Sequence, residues 1–106
     1  MAVYGSYGGP IKATLGKQSI TCISNTNVAT TITHTDDSSS VDSSRHVTMI
    51  ITSSGNATIE INGAATANSL AMTSSDTLIA KIPSGNTLGC RGTASTPTIT
   101  VHKVVC

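Results

Sequence analysis

Along most of the chain, hydrophobic and polar positions alternate with a period of two. The pattern is sharpest between residues 45 and 62. In "HVTMIITS", Val47, Met49 and Ile51 alternate with Thr48, Ile50 and Thr52. After "SSGN" the alternation resumes in "ATIEIN", with Ile59 and Ile61 on one face and Glu60 on the other. Successive side chains of a strand point to opposite faces, so each run reads as a strand with one buried face. Two such runs around a Gly-Asn turn predict a β-hairpin over 45–62. Further strands are expected over 11–15, 19–24, 28–35, 69–73, 77–83, 87–92 and 98–105. Asn62-Gly63 and "PSGN" supply turns, Pro83 ends one run, and Pro97 opens the last, where Ile99, Val101 and Val105 share a face. No stretch of ten residues carries a 3.6-residue period free of glycine and β-branched residues, and "INGAATANSLAM" is the one place for a short helical turn.

Eight or nine short strands with turn signals between them predict an all-β chain. The expected fold is an antiparallel β-sandwich, jelly-roll-like, of about eight strands over residues 11–106. Residues 1–10 read as an extended N-terminal arm, because Gly5, Gly8, Gly9 and Pro10 disfavour regular structure. The most polar segment, "DDSSSVDSS" (36–44), reads as a loop.

Composition sharpens this picture. The 106 residues suffice for one domain, and they include neither Phe nor Trp. The core must therefore be aliphatic, without the roughly 150–250 Å² that each aromatic buries, and burial between subunits is expected to add stability. Fifteen serines and 18 threonines are interleaved with Ile and Val, which favours strands over a disordered stalk. A net charge of +1 offers no electrostatic basis for nucleic-acid binding. No apolar run approaches the ~20 residues of a membrane-spanning helix, and "MAVYGSYGGP" lacks the basic and apolar regions of a signal peptide. Cys22, Cys90 and Cys106 are an odd set without CxxC spacing, which points to synthesis in a reducing compartment. Cys22 and Cys90 read as small buried hydrophobes, with a Cys22–Cys90 bridge as the alternative; Cys106 reads as an exposed thiol.

Little in the chain suggests chemistry. His34, His46 and His102 lack metal-ligand spacing and read as surface or strand-face residues, although one histidine per chain could form a three-His site on a trimer axis. Asp36, Asp37 and Asp42 read as solvated loop acids rather than a Ca²⁺ loop. There is no G-x-S-x-G elbow, P-loop or G-x-G-x-x-G. The sequon Asn56-Ala57-Thr58 is expected by chance in so Thr-rich a chain, and the Thr-x-Thr rows lack the fixed repeat of an ice-binding face. Neither an enzyme nor a cofactor is expected. Tyr4 and Tyr7 lie in the arm with Val3, Pro10 and Ile11, an apolar set with few charges. These five residues are the candidate partner-binding set.

The small size, neutral charge, Gly-rich arm and Ser/Thr-rich strands ending in "KIPSGNTLGCRGTASTPTITVHKVV" resemble the small virion proteins of tailed bacteriophages. The pattern is most similar to capsid decoration (cement) proteins and head-fibre bases, many of them trimeric jelly rolls or sandwiches. The resemblance implies synthesis in the host cytoplasm and a place on the capsid surface, stabilising the shell. The implied partners are the major capsid protein and copies of the chain itself as a homotrimer. It leaves two alternatives open: a receptor- or glycan-binding module of a tail or head fibre, and a small hydrolase or metal-dependent enzyme.

Overall fold

The computed structural model describes residues 3–5, 11, 13–34 and 47–105. Nine strands are seen among them: β1 (Val3–Tyr4), β2 (Ala13–Thr21), β3 (Asn27–Thr31), β4 (Val47–Ser53), β5 (Ala57–Ile61), β6 (Leu70–Met72), β7 (Thr77–Ala80), β8 (Thr87–Gly92) and β9 (Thr98–Val105). They build a five-stranded sheet, β1-β7-β4-β9-β2, and a four-stranded sheet, β3-β8-β5-β6. From β2 onward the pairing is first with last: β2 with β9, β3 with β8, β4 with β7, β5 with β6. From β2 onward, every connection except β5 to β6 changes sheet. This is a long hairpin rolled into two layers, the jelly roll.

The core between the sheets is aliphatic, as expected from the composition. Ile20, Ile32, Met49, Ile51, Ile59, Met72, Ile82, Leu88, Ile99 and Val101 are buried in one cluster with Cys22 and Cys90. The predicted strand over 77–83 stops at Ala80, and Ile82 reaches the core from the following loop.

Three strand-level expectations are corrected. The hairpin over 45–62 does not form, because β4 and β5 lie in different sheets and the chain between them arches over the core. The Ser53 hydroxyl tightens that arch by donating to the Gly55 carbonyl (2.6 Å) and accepting from the Gly55 N–H (3.3 Å). A period-two run fixes which face points inward but not which strand lies alongside. Here the buried faces of Val47, Met49 and Ile51 and of Ala57 and Ile59 look at each other across the core. Ile61, expected to face inward, is 39% exposed at the end of β5. The runs at 11–15 and 19–24 are not two strands but one, β2, which continues through a β-bulge between Thr14 and Gly16 with Gly16 at φ 96°. The sandwich is also not wholly antiparallel, since β1 pairs with β7 in parallel.

Two devices close the layers. On the outer face of the four-stranded sheet, the loop from Asn62 to Ser69 folds back over β8. The Ala65 N–H there donates to Asn27 Oδ1 at 2.9 Å, and Ala65 is buried. Asn62 takes φ 58° to start this loop, which makes turns and no helix in the one stretch that left room for a short helical turn. Along the open side between β2 and β3, the Gln18 amide accepts from Thr33 N–H (3.1 Å) and donates to the Thr31 carbonyl (3.1 Å).

Candidate functional site

Val3, Tyr4 and Gly5 do not stand away from the sandwich. Val3 pairs with Thr77 and Tyr4 with Leu78, so β1 extends the five-stranded sheet beyond β7. Gly5 takes φ 87° and lies so close to the Ile79 carbonyl that a Cβ would overlap it. Tyr4 is half-buried and packs on the core cluster. The expectation that glycine and proline keep the whole arm from regular structure is therefore corrected at Val3–Tyr4: the strand ends at Gly5, and the two residues before it complete a ladder.

Of the five candidate partner-binding residues, three are described. Val3 is 57% exposed and Ile11 48% exposed, while Tyr4 is turned inward. Tyr7 and Pro10 lie outside the described residues. The structure does not gather Val3 and Ile11 into one patch. Val3 sits on β1 at one edge of the five-stranded sheet, and Ile11 precedes β2 at the other, with β7, β4 and β9 between. At ~4.8 Å per strand spacing the two edges are about 19 Å apart. Each edge thus presents one large exposed aliphatic residue beside a terminal strand.

The outer face of the same sheet carries a cavity of about 340 Å³ between Thr14, Lys17, Ile50, His102 and Val104. Its origin is local. Lys17, His102 and Ile50 form one cross-strand row, and Thr14, Val104 and Thr48 form the next. The bulge at Leu15 parts the two rows on the β2 side. The floor is aliphatic, and Lys17 and His102 stand exposed at the rim. No motif marks this site in the sequence, because a bulge brings its residues together from three strands.

Two further polar side chains reach backbone carbonyls. Lys103 lies on the inward face of β9 with Ile99 and Val101, is 7% exposed, and donates through Nζ to the Thr33 carbonyl. Burial holds its ammonium below the ordinary lysine value. His34 Nε2 lies 3.1 Å from the Ile82 carbonyl, which assigns it as donor, and Nδ1 is buried without a partner among the described residues. Among the described residues no three His, Cys, Asp or Glu side chains gather as a metal site. His46, Thr35, Cys106 and the 36–44 loop with Asp36, Asp37 and Asp42 lie outside the described residues. No protein-family model, curated protein or solved structure matches the chain.

Proposed function

We propose that the chain is a virion structural protein that decorates and stabilises the outer surface of a bacteriophage capsid through protein–protein contacts. The observation that carries this reading is the placement of Val3 and Ile11, exposed aliphatic residues at opposite edges of one sheet. A building block that touches the shell on one side and a copy of itself on the other needs two such edges. The rolled two-sheet frame supports the reading by holding those edges rigid, and the tail resemblance supplies the setting. The major capsid protein and two further copies of the chain, as a homotrimer, are the partners. The test is co-sedimentation with DNA-free heads assembled from the major capsid protein of the same phage, using wild type, Val3→Asp and Ile11→Asp, together with the native mass in solution. A trimer that binds heads is expected, with one substitution weakening head binding at least tenfold and the other weakening trimerisation. A stable monomer that leaves heads unbound overturns the reading.

The cavity on the five-stranded sheet favours a second reading, a receptor- or glycan-binding module of a tail or head fibre. An aliphatic floor with Lys17 and His102 at the rim suits an acidic sugar, whose carboxylate meets the Lys17 ammonium while its ring packs on Ile50 and Val104. A glycan array hit on acidic sugars, lost in Lys17→Ala, is the expected result. Silence across the array sinks it.

A further inference from the structure

Cys22 and Cys90 come from opposite layers of the sandwich and meet in its core. Cys90 lies in β8, between Val28 of β3 and Ile59 of β5 on the inward face. Cys22 follows β2 directly, and its N–H donates to the Pro97 carbonyl at 2.8 Å. The next residues turn onto β8. Gly92 N–H donates to the Ile23 carbonyl (3.1 Å), Asn25 N–H donates to the Gly92 carbonyl (2.7 Å), and Ser24 bridges Gly92 in parallel. Two residues back along both segments, that parallel register brings Cys22 level with Cys90. The side chains are 1% and 0% exposed, belong to one cluster, and carry free thiols.

We propose that Cys22 and Cys90 are a latent disulfide site, which a low-molecular-weight disulfide closes into a covalent staple between the two sheets. In the closed fold the two thiols lie within hydrogen-bonding reach of each other. Burial raises both above the ordinary thiol value, but the Cys90 S–H donates towards Cys22 and eases its ionisation. Burial first, then the Cys22 charge, pushes the Cys90 thiol up to about 12. When the 22–25 segment lifts from β8 it carries Cys22 out to the oxidant, so Cys22 is the first nucleophile. Its thiolate attacks oxidised glutathione, forms a mixed disulfide and expels one glutathione thiolate. The Cys90 sulfur then attacks the Cys22 side of that bond and expels the second. Two thiols are oxidised, one disulfide is reduced, and both protons end on the two glutathione molecules. In the closed fold neither sulfur is reachable, so the exchange runs while the chain folds or when the 22–25 segment lifts from β8. In reducing surroundings the pair remains two buried thiols.

The test is refolding from denaturant in a buffer of oxidised and reduced glutathione, followed by alkylation and tryptic mapping. Cleavage after lysine and arginine separates the three cysteines into peptides 18–45, 82–91 and 104–106. Peptides 18–45 and 82–91 are expected as one linked species, with the intact mass lower by about 2 Da and the Tm higher by roughly 10 °C, as closure of a long loop implies. Cys106→Ser provides the same readout with the third thiol removed. Full alkylation of Cys22 and Cys90 after oxidative refolding overturns the proposal, and so does a bridge that lowers the Tm.

Discussion

Replacing Gly89 by alanine tests whether the β5–β6 loop is a structural part of the sandwich. Gly89 faces outward in the middle of β8, and the loop lies directly on it. A methyl at Gly89 would overlap the Gly63 carbonyl oxygen, and would come within 2.8 Å of Asn27 Oδ1 and 2.9 Å of the Ala65 nitrogen. Two of these three neighbours are backbone, so a rotamer change cannot clear the space. Asn27 can swing aside only by giving up its bond to Ala65 N–H. Overpacking of this kind costs about 1–3 kcal/mol, and the lost hydrogen bond adds about 0.5–1.5. The lower unfolded-state entropy of alanine offsets about 0.4–1 of this. The expected net loss is about 0.5–4 kcal/mol, centred on about 2.3 kcal/mol, a large fraction of the ~5–15 kcal/mol that a domain of this size has. Urea unfolding reads it as a lower midpoint, and hydrogen exchange reads it locally as faster exchange of the Ala65 amide. Ala29→Ser, on the exposed partner position of β3, serves as control and should stay within about 0.5 kcal/mol of wild type. A wild-type midpoint with the Ala65 amide still protected would refute the idea that the loop is packed on β8.

Gln18→Ala removes both bonds between β2 and the end of β3 and should cost about 1–2 kcal/mol, with the Thr33 amide exchanging faster; unchanged protection there would count against the side-chain bridge. Lys103→Met should abolish one component of the pH dependence of stability. The Lys103 ammonium is held below its ordinary value by burial, so across the window from its folded pKa up to about 10.4 the unfolded chain binds more protons. Wild-type stability therefore gains from this site as pH rises through that window, and Lys103→Met lacks that gain. Urea midpoints compared between pH 7 and 10.5 check it, and parallel curves for the two proteins would contradict the assignment.

The positions of the strands were legible because their inward residues recur every second place, and this signal is strong in β4, β5 and β9. Their partners were not. Val47, Met49 and Ile51 have the same pattern whether β5 lies beside β4 or across the core from it. Only the number of layers, a property of the whole chain, decides between the two. Gly16 had the opposite effect: it falls in the gap between the strands expected over 11–15 and 19–24, yet a glycine at positive φ lets one strand carry a bulge and continue. Lys103 was hidden for another reason. An inward lysine among Ile99 and Val101 interrupts the apolar alternation, and its long stem is tolerated because Nζ reaches the Thr33 carbonyl at the sandwich edge. In the candidate site, the apolar character of Val3, Tyr4 and Ile11 was readable, but their division between two sheet edges was not, since it follows from the strand order.

That division changes how the arm must be tested. If residues 1–10 were only a tether, deleting them would leave the sandwich intact, and lost binding would identify the contact. But Tyr4 is packed on the core and β1 pairs with β7, so deletion also strips part of the fold. Tyr4 alone represents on the order of 1–3 kcal/mol of burial, and a truncated chain that fails to bind heads could simply be unstable. Val3→Asp avoids this. The side chain is more than half exposed at the sheet edge, so in the free protein a charge there should move stability by less than about 0.5 kcal/mol. In an apolar contact the same charge is left without a partner, at a cost of several kcal/mol. Ile11→Asp applies the same logic about 19 Å away. Because the two sites share no neighbours, their effects on one bound state should add if each edge has its own contact. Co-sedimentation measures the shell contact and sedimentation equilibrium measures self-association. If the edges have different partners, one substitution should weaken mainly the first and the other mainly the second. Wild-type behaviour of both variants in both assays would remove the sheet edges, and with them the decoration reading, from consideration.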